Sequence, residues 1–262
     1  MDTDAVRALF DAQMRRDAPP AEAGTRVERF GPVIRQTGAG AHDWTGVLWS
    51  ELDEHTADAA IAAQTRWLAG PEGAGREFEW KLYAHDRPAD LGRRLLAAGF
   101  VPEPAETLMV AEVAKLPQDT APPEGVRLEP VTDAAGAALM AEVHAKAFGT
   151  DGTRPHASLL DQLAHSTGNV AMTLALAGGE PVCSARIEFH PGTDFASLWG
   201  GGTVPAWRGR GVYRSLVAHR ARLAAARGFR YLQVDASDES RPILSRLGFE
   251  PLGVTTPYLK QG

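Results

Sequence analysis

An arginine- and glycine-rich turn is the part of the sequence best suited to chemistry with a phosphate group. Residues Val204–Tyr213 read VPAWRGRGVY, and they follow an apolar stretch and precede a predicted helix. A turn of this kind presents main-chain N–H groups that have no partner inside the helix, and the positive end of the helix dipole reinforces them. The residue types therefore predict a phosphate-binding turn.

The charge around this turn is positive, although the chain as a whole is acidic. Seven arginines and no aspartate or glutamate lie between Ala206 and Arg230, whereas the formal net charge of the 262 residues is −6. These arginines are Arg208, Arg210, Arg214, Arg220, Arg222, Arg227 and Arg230. Because the basic charge is local, we expect a phosphorylated small molecule as the ligand and no nucleic-acid surface.

Two common phosphate-binding motifs fit this turn poorly. A Walker-type loop requires Gly-Lys-Ser/Thr, and no lysine lies near the turn. A dinucleotide fingerprint that begins at Gly209 reaches Gly211 but meets Arg214 where a third small residue is needed. Both motifs are therefore set aside.

A third motif fits better. Residues Arg208–Tyr213, RGRGVY, resemble the Arg/Gln-x-x-Gly-x-Gly/Ala loop of the GNAT superfamily of N-acetyltransferases, whose backbone amides hold the pyrophosphate of acetyl-coenzyme A. One position departs from the pattern, since Tyr213 stands where Gly or Ala is usual. Residues 247–249, Leu-Gly-Phe, also resemble the end of the last helix in that superfamily.

The elements expected around the loop agree with this resemblance. Period-2 and period-3.6 patterns predict the order β-α-α-β-β-β-loop-α-β-α-β over about 140 residues, which is the GNAT order. The strands are expected at 125–131, 170–176, 182–189, 195–204, 231–235 and 254–259. The helices are expected from Asp133, as the cap, to 148, at 157–165, at 212–226, and through Ile243 and Leu247. The fold class is therefore predicted as α/β with a mixed sheet.

The N-terminal half shows a weaker copy of the same layout. A strand at 80–83, a helix at 91–98, Gly99-Phe100 and a strand at 106–113 repeat the order found from Tyr231 to the chain end. Other elements are expected at 4–16, 33–36, 47–52 and 57–68. We predict a shortened, degenerate GNAT-like structural domain (1–116), a proline-rich linker (117–124) and a GNAT domain (125–262). An unrelated α/β cap is the alternative.

The resemblance implies which residues bind acetyl-CoA, the expected co-substrate. The strand before the loop contributes main-chain contacts to the pantetheine arm, the loop holds the pyrophosphate, and a polar residue follows the next strand. By this correspondence the cofactor-binding residues are Thr203, Val204, Arg208, Gly209, Arg210, Gly211, Val212, Tyr213 and Ser237. The Arg210 side chain either pairs with a phosphate or is solvated. Arg220, Arg222 and Arg227 are expected on an exposed helix face.

The usual catalytic acid and base of the superfamily are missing from their places. Leu244 stands where a Tyr acid is common, and Ser197 lies near the strand position that carries a Glu base in some members. The substitutes proposed from the sequence are Tyr258, whose hydroxyl is a candidate acid, and the strand carboxylates Glu188 and Asp235. Each also has a structural interpretation: a core aromatic residue, an exposed strand position and a helix-end cap, respectively.

The expected function is acetyl transfer from acetyl-CoA to a primary amine of a small molecule or a protein, by direct attack in a ternary complex. An antibiotic-modifying transferase is one special case, and a non-catalytic acyl-CoA sensor is the alternative class. The single cysteine, Cys183, is expected to be a small core residue. His144 and His190 show no spacing that is typical of metal ligands. The first helix is too polar for a signal peptide and too short for a membrane span, so a cytoplasmic protein is expected. The oligomeric state stays open between monomer and homodimer.

Overall fold

A computed structural model describes residues 1–20, 24–41, 43–165 and 168–262. The α-helices in these residues are α1 (Thr3–Phe10), α2 (Ala57–Leu68), α3 (Leu91–Ala97), α4 (Ala134–Phe148), α5 (Thr153–His165), α6 (Val212–Ala226) and α7 (Arg241–Arg246). A π-helical turn, Asp11–Arg16, continues α1, and 3-10 turns cover Val113–Lys115 and Pro205–Trp207. Among the described residues, no helix combines the length and apolar character that a membrane crossing requires.

Twelve strands complete the secondary structure of the described residues. They are β1 (Arg26–Phe30), β2 (Val33–Thr37), β3 (Gly46–Ser50), β4 (Glu77–Tyr83), β5 (Val101–Pro102), β6 (Glu106–Glu112), β7 (Val126–Val131), β8 (Val170–Ala177), β9 (Glu180–Phe189), β10 (Phe195–Thr203), β11 (Tyr231–Ala236) and β12 (Glu250–Gln261). Parallel and antiparallel pairs both occur. The predicted α/β class with a mixed sheet is confirmed.

The chain forms two compact units that are not contiguous in sequence. Unit 1 comprises Met1–Met109, Asp235–Pro242 and Pro251–Gly262. Its strand order is β1-β2-β3-β4-β12-β6, with β5 on β12. The buried side chains of α2, α3 and β4, including Ile61, Trp80 and Leu95, form its core.

Unit 2 comprises Val110–Val234 and Ile243–Glu250. Its strand order is β11-β10-β9-β8-β7, in which β10 and β11 are parallel and the other neighbours are antiparallel. Its core packs α4, α5 and α6 against these strands through residues such as Val143, Leu159 and Leu216. The domain boundaries expected at 117–124 stay a prediction, and residues 117–123 form no helix or strand.

Local sequence signals placed most elements correctly. The predicted bounds of α2 and α6 agree with the structure, and the Asp133 carboxylate caps α4 by accepting a hydrogen bond from the Gly136 N–H at 2.8 Å. The last strand is longer than predicted, since β12 begins at Glu250 rather than Val254. β1 and β5 were not predicted at all, because these short strands are largely exposed and show no clean alternation of apolar and polar residues.

The pairing of β10 with β11 covers only part of β10. Over the described residues, the register pairs Phe195, Ala196 and Ser197 with Tyr231, Leu232 and Gln233. β10 continues to Thr203 while remaining paired with β9, and an irregularity in that pairing lies between Trp199 and Gly202. Beyond Ser197, β10 therefore has no register partner on β11.

Candidate phosphate and acyl-CoA site

A strand, a short 3-10 turn and a helix build the candidate site within unit 2. β10 ends at Thr203, the 3-10 turn Pro205–Trp207 follows, and α6 begins at Val212. Gly209 and Gly211 have φ angles of +73° and +87°. Residues with a Cβ rarely adopt this left-handed region, so the loop needs glycine at both positions.

The main-chain N–H groups of this loop form an unpaired row. The N–H groups of Trp207 and Arg208 donate to Val204 O and Pro205 O, but those of Gly209 to Arg214 have no acceptor within the described part of the chain. A Cβ built on Gly209 or Gly211 would meet no atom within 4 Å. The loop thus offers free donors at a helix N-terminus with open space in front, which suits an anion.

Arg208 holds the loop in place through main-chain carbonyls. Its Nη2 donates to Ala147 O at 2.8 Å and its Nε to Thr203 O at 3.3 Å. The guanidinium of Arg210 instead lies 4.7 Å from the centre of the Trp207 ring. Arg208 therefore connects the loop to the end of α4, and Arg210 stays near the loop surface.

Thr203 and Val204 lie directly before the loop, as predicted. The Thr203 hydroxyl lies 3.0 Å from Cys183 Sγ, and the Val204 N–H donates to Val182 O at 3.0 Å. Val204 O accepts from the Trp207 N–H. The N–H and the carbonyl of Val204 are thus both engaged within the protein. Cys183 is buried, as the sequence predicted.

Tyr213, the residue that departs from the GNAT pattern, packs its ring against β10. A Cβ added to Gly201 would lie 2.8 Å from Tyr213 Cε2, so the glycine makes room for the ring. Burial raises the pKa of the Tyr213 hydroxyl, and the charge of nearby Arg220 opposes that rise. At neutral pH this hydroxyl is protonated.

The structure corrects the prediction that Arg220 lies on an exposed face with Arg222 and Arg227. Arg222 and Arg227 are exposed, but Arg220 is 1% exposed. Its Nε donates to Leu216 O at 3.1 Å and its Nη1 to Arg186 O at 3.3 Å. Burial lowers the pKa of Arg220, against the influence of Tyr213 and Cys183. Main-chain carbonyls of α6 and β9 thus hold the guanidinium in the interior.

The three candidate catalytic residues are divided between the two units. Glu188, in unit 2, accepts from Arg186 Nε at 3.0 Å and from Gln162 Nε2 at 3.2 Å. Asp235 and Tyr258 belong to unit 1. Their catalytic assignments stay predictions.

The two candidates of unit 1 have well-defined neighbours. The Asp235 Oδ2 atom accepts a hydrogen bond from Lys81 Nζ, and the Asp235 side chain is 5% exposed. Tyr258 on β12 is the register partner of Trp80 on the neighbouring strand β4. A Cβ added to Gly92 would lie 2.5 Å from the Tyr258 hydroxyl oxygen. Both side chains thus make contacts that stabilise unit 1.

Ser237, the last predicted cofactor ligand, follows β11 and is exposed. Its Oγ lies 3.3 Å from Ser240 Oγ and accepts from the Ser240 N–H at 3.3 Å. It therefore closes a local turn at the start of α7, and its contact with coenzyme A stays a prediction.

The sequence reasoning missed a polar cluster of His190, Ser197 and Gln233 at the end of the β10–β11 pairing. His190 Nε2 lies 2.6 Å from Ser197 Oγ, and Gln233 Nε2 donates to the same oxygen at 2.5 Å. Burial lowers the pKa of His190, although the charge of Glu188 opposes this effect. Because the contact depends on strand register, the sequence contained no local signal for it.

The GNAT resemblance is supported by a family model. Residues 137–249 match the model of the acetyltransferase (GNAT) family, so this part of the chain is a GNAT domain. The match includes β8 to β11, the loop and α6. This family uses acyl-CoA for acetyl transfer. A comparison with curated protein sequences finds no significant match.

Solved structures resemble the chain over most of its length. A GCN5-related N-acetyltransferase from Kribbella flavida has 18% identity and a TM-score of 0.67, covering 91% of this chain and 90% of that one. A functionally unknown conserved protein from Staphylococcus epidermidis has 14% identity and a TM-score of 0.70, and the match covers 97% of this chain and 99% of that one. A tandem GNAT protein from the clavulanic acid biosynthesis pathway has 16% identity and a TM-score of 0.61, covering 98% and 92%. At these identities, the likeness establishes the fold.

Proposed function

We propose that the protein is an acetyl-CoA-dependent N-acetyltransferase that acetylates a primary amine of a small molecule or a protein. The observation that carries the proposal is the row of unpaired N–H groups from Gly209 to Arg214, located within a GNAT domain. A pyrophosphate is the anion that such a row at a helix N-terminus suits.

The loop residues have separate roles in this proposal. Gly209 and Gly211 let the main chain approach the pyrophosphate, and Arg208 fixes the loop by binding Ala147 O. The Arg210 and Arg214 side chains add positive charge near the phosphates. Beyond Ser197, where β10 has no register partner on β11, the strand offers main-chain groups to the amides of the pantetheine arm, which then runs along the strand toward Ser197.

The transfer itself requires a neutral amine, stabilisation of the oxyanion and a proton for the departing thiolate. Tyr258 is the candidate acid from the sequence, and Glu188 and Asp235 are candidates for attracting a cationic amine. The proposal itself rests on the loop.

We also propose that the N-terminal part is a diverged copy of the GNAT fold without a phosphate loop. In support, β4, α3 and β6, with the two-residue strand β5 before β6, follow the strand–helix–strand order of β11, α7 and β12. The tandem GNAT protein named above aligns with 98% of this chain. Superposition of residues 80–113 on residues 231–259 tests this copy directly.

Calorimetry with acetyl-CoA tests the loop assignment. Gly211→Asp introduces bulk, backbone strain and negative charge at the proposed phosphate position, so we expect acetyl-CoA affinity to fall by at least about tenfold. The matched control is Gly228→Asp, at the other end of α6, where φ is +79° and a Cβ also meets no neighbouring atom. Equal affinity in the two variants contradicts the assignment.

Free-thiol release with a library of primary amines tests the activity and separates the two function classes. An N-acetyltransferase releases coenzyme A when a suitable amine is added, whereas a sensor binds acetyl-CoA and releases none. Binding without turnover across the library therefore favours the acyl-CoA sensor.

A further inference from the structure

Three polar side chains meet on one face of unit 2 where β10 and β11 stop pairing. Ser197 is the register partner of Gln233 on β11 and of Glu188 on β9. Cross-strand partners point to the same face of a sheet, and His190 lies two residues beyond Glu188. Ser197 and Gln233 are buried, at 1% and 4% exposure, and His190 is partly buried. His190, Ser197 and Gln233 thus form a polar group that His190 connects to the surface.

Two hydrogen bonds join the group at Ser197. The Gln233 amide nitrogen donates to Ser197 Oγ at 2.5 Å. Ser197 Oγ also lies 2.6 Å from His190 Nε2, and the tautomer of His190 decides which of these two atoms donates, because the hydroxyl oxygen has a second lone pair. In the tautomer with the ring proton on Nδ1, Nε2 accepts the Ser197 hydroxyl proton, and the inference below uses this tautomer.

One acceptor in the group has no donor. Gln233 Oε1 is buried and has no hydrogen-bond partner within the described residues. A buried acceptor without a donor is destabilising, so a ligand N–H group placed beside Gln233 would satisfy it.

The position of the group relates it to the proposed reaction. From Leu198 to Thr203, β10 has no register partner on β11. Six extended residues span about 20 Å. In the proposed function, the acyl-CoA arm runs along this edge from the phosphate loop, and its reactive end approaches Ser197 and Gln233.

We propose that Ser197, His190 and Gln233 accept the proton of the acceptor amine. This inference rests on the proposed N-acetyltransferase function. The ammonium form of the acceptor donates N–H groups to Gln233 Oε1 and to Ser197 Oγ. Ser197 takes one proton from the nitrogen and passes its own hydroxyl proton to His190 Nε2. The nitrogen keeps the electron pair of the broken N–H bond and attacks the carbonyl carbon of the thioester. The C–S bond then breaks, and the coenzyme A thiolate leaves as the free thiol by taking the proton that the new amide nitrogen loses.

The charges around His190 suit this transfer. His190 is neutral before it receives the proton, and the positive charge that it then carries lies near Glu188. Glu188 in turn is held by Arg186 at 3.0 Å, while Ser197 and Gln233, which contact the group from β10 and β11, are uncharged. Ser197 is thus the residue that touches the amine, and His190 acts through it.

The test uses His190→Asn, which keeps a polar side chain but cannot take the proton. With the best amine from the library, we expect kcat to fall about 10²-fold or more while acetyl-CoA affinity stays at the wild-type value. Wild-type kcat/KM should rise with pH through an ionisation below 6.5, and this inflection should vanish in the variant. Imidazole should restore part of the rate of His190→Ala.

A measurement on the wild-type protein tests the inference even if the variants fail to fold. Nitrogen-15 NMR of the His190 ring at pH 7 should show a neutral imidazole protonated at Nδ1. A ring protonated at Nε2, or wild-type kcat and pH profile in His190→Asn, overturns the inference. If wild-type protein binds no acetyl-CoA or releases no thiol with any amine, the proposed function itself fails, and this inference fails with it.

Discussion

Lys81 donates a hydrogen bond from Nζ to the Oδ2 atom of Asp235, and both side chains are largely buried, at 14% and 5% exposure. Burial alone lowers the pKa of Lys81, but the charges of Asp235, Tyr83 and Glu79, together with the hydrogen bond to Asp235, outweigh it, so the pKa is raised. We expect Lys81→Met to destabilise the protein by about 3–5 kcal/mol, because a buried carboxylate loses its partner. Urea unfolding measures this change.

The matched control for the ion pair is the double variant Lys81→Met, Asp235→Leu. It removes both charges, so it should be more stable than Lys81→Met alone. If the double variant is instead less stable than Lys81→Met, the loss in the single variant does not come from leaving the Asp235 carboxylate without its partner.

Glu106 makes the stability of unit 1 depend on pH. Burial, together with the charges of Asp235 and Glu79, raises the pKa of Glu106 to about 7, and Lys81 opposes the rise. A carboxyl whose folded-state pKa exceeds its unfolded value favours folding at low pH, and this contribution is lost as the pH rises toward 7. Thermal unfolding from pH 5 to 8 should therefore show that Glu106→Gln gains stability relative to wild type as the pH rises.

Two outcomes decide this interpretation of Glu106. A difference between wild type and Glu106→Gln that grows with pH supports it. A difference that is constant from pH 5 to 8 shows that Glu106 has the same pKa in the folded and unfolded states. Glu103→Gln is the control, because Glu103 precedes β6 and is exposed.

Arg208 is expected to affect acetyl-CoA binding through loop geometry. Arg208→Ala removes the hydrogen bonds to Ala147 O and Thr203 O that hold the loop. Since the proposed site consists of main-chain N–H groups, we expect acetyl-CoA affinity to fall about tenfold, which corresponds to about 1.4 kcal/mol. Arg222→Ala, an exposed position on α6, controls for the loss of one positive charge.

The salt dependence distinguishes the two explanations for a weaker Arg208→Ala variant. If Arg208 acts through loop geometry, the ratio of wild-type to variant affinity should persist at high ionic strength. If it acts as a charge near the phosphates, that ratio should shrink as salt increases.

The sequence predicted elements whose signals are local. The α2 and α6 helices were placed well because apolar spacing and terminal residues define them within one segment. The glycines of the loop at 208–213 were visible as residue types, and the structure adds that Gly209 and Gly211 have positive φ angles.

The features that the sequence did not show depend on contacts between distant segments. The sequence predicted Arg220 to be exposed, but its guanidinium is buried and donates a hydrogen bond to a main-chain carbonyl of β9. His190 and Ser197 are brought together by the register of β9 and β10 across a turn. Neither the burial of a charge nor a strand register is encoded in residue spacing alone.

Arg15 anchors the N-terminal helical segment to unit 1. Its Nη2 donates to both carboxylate oxygens of Asp86 at 2.8 Å, its Nη1 donates to Asp11 at 2.8 Å, and its guanidinium lies 3.7 Å from the centre of the Tyr83 ring. Arg15 is 2% exposed. Asp86→Asn should therefore destabilise the protein by about 3–5 kcal/mol in urea unfolding, whereas Asp4→Asn, at an exposed ion pair of α1, should change stability by less than about 1 kcal/mol.

The same anchor should weaken in acid. Burial raises the pKa of Asp11, but hydrogen bonds from His85 and Arg15 outweigh it, so the folded-state pKa lies below the usual 3.8. A carboxyl with a depressed pKa stabilises the fold above its unfolded pKa and loses this contribution as the pH falls through the folded value. Between pH 6 and pH 3, the stability of wild type should fall more steeply than that of Asp11→Asn. Parallel stability curves for the two proteins over this range would mean that Asp11 does not hold α1 through its charge.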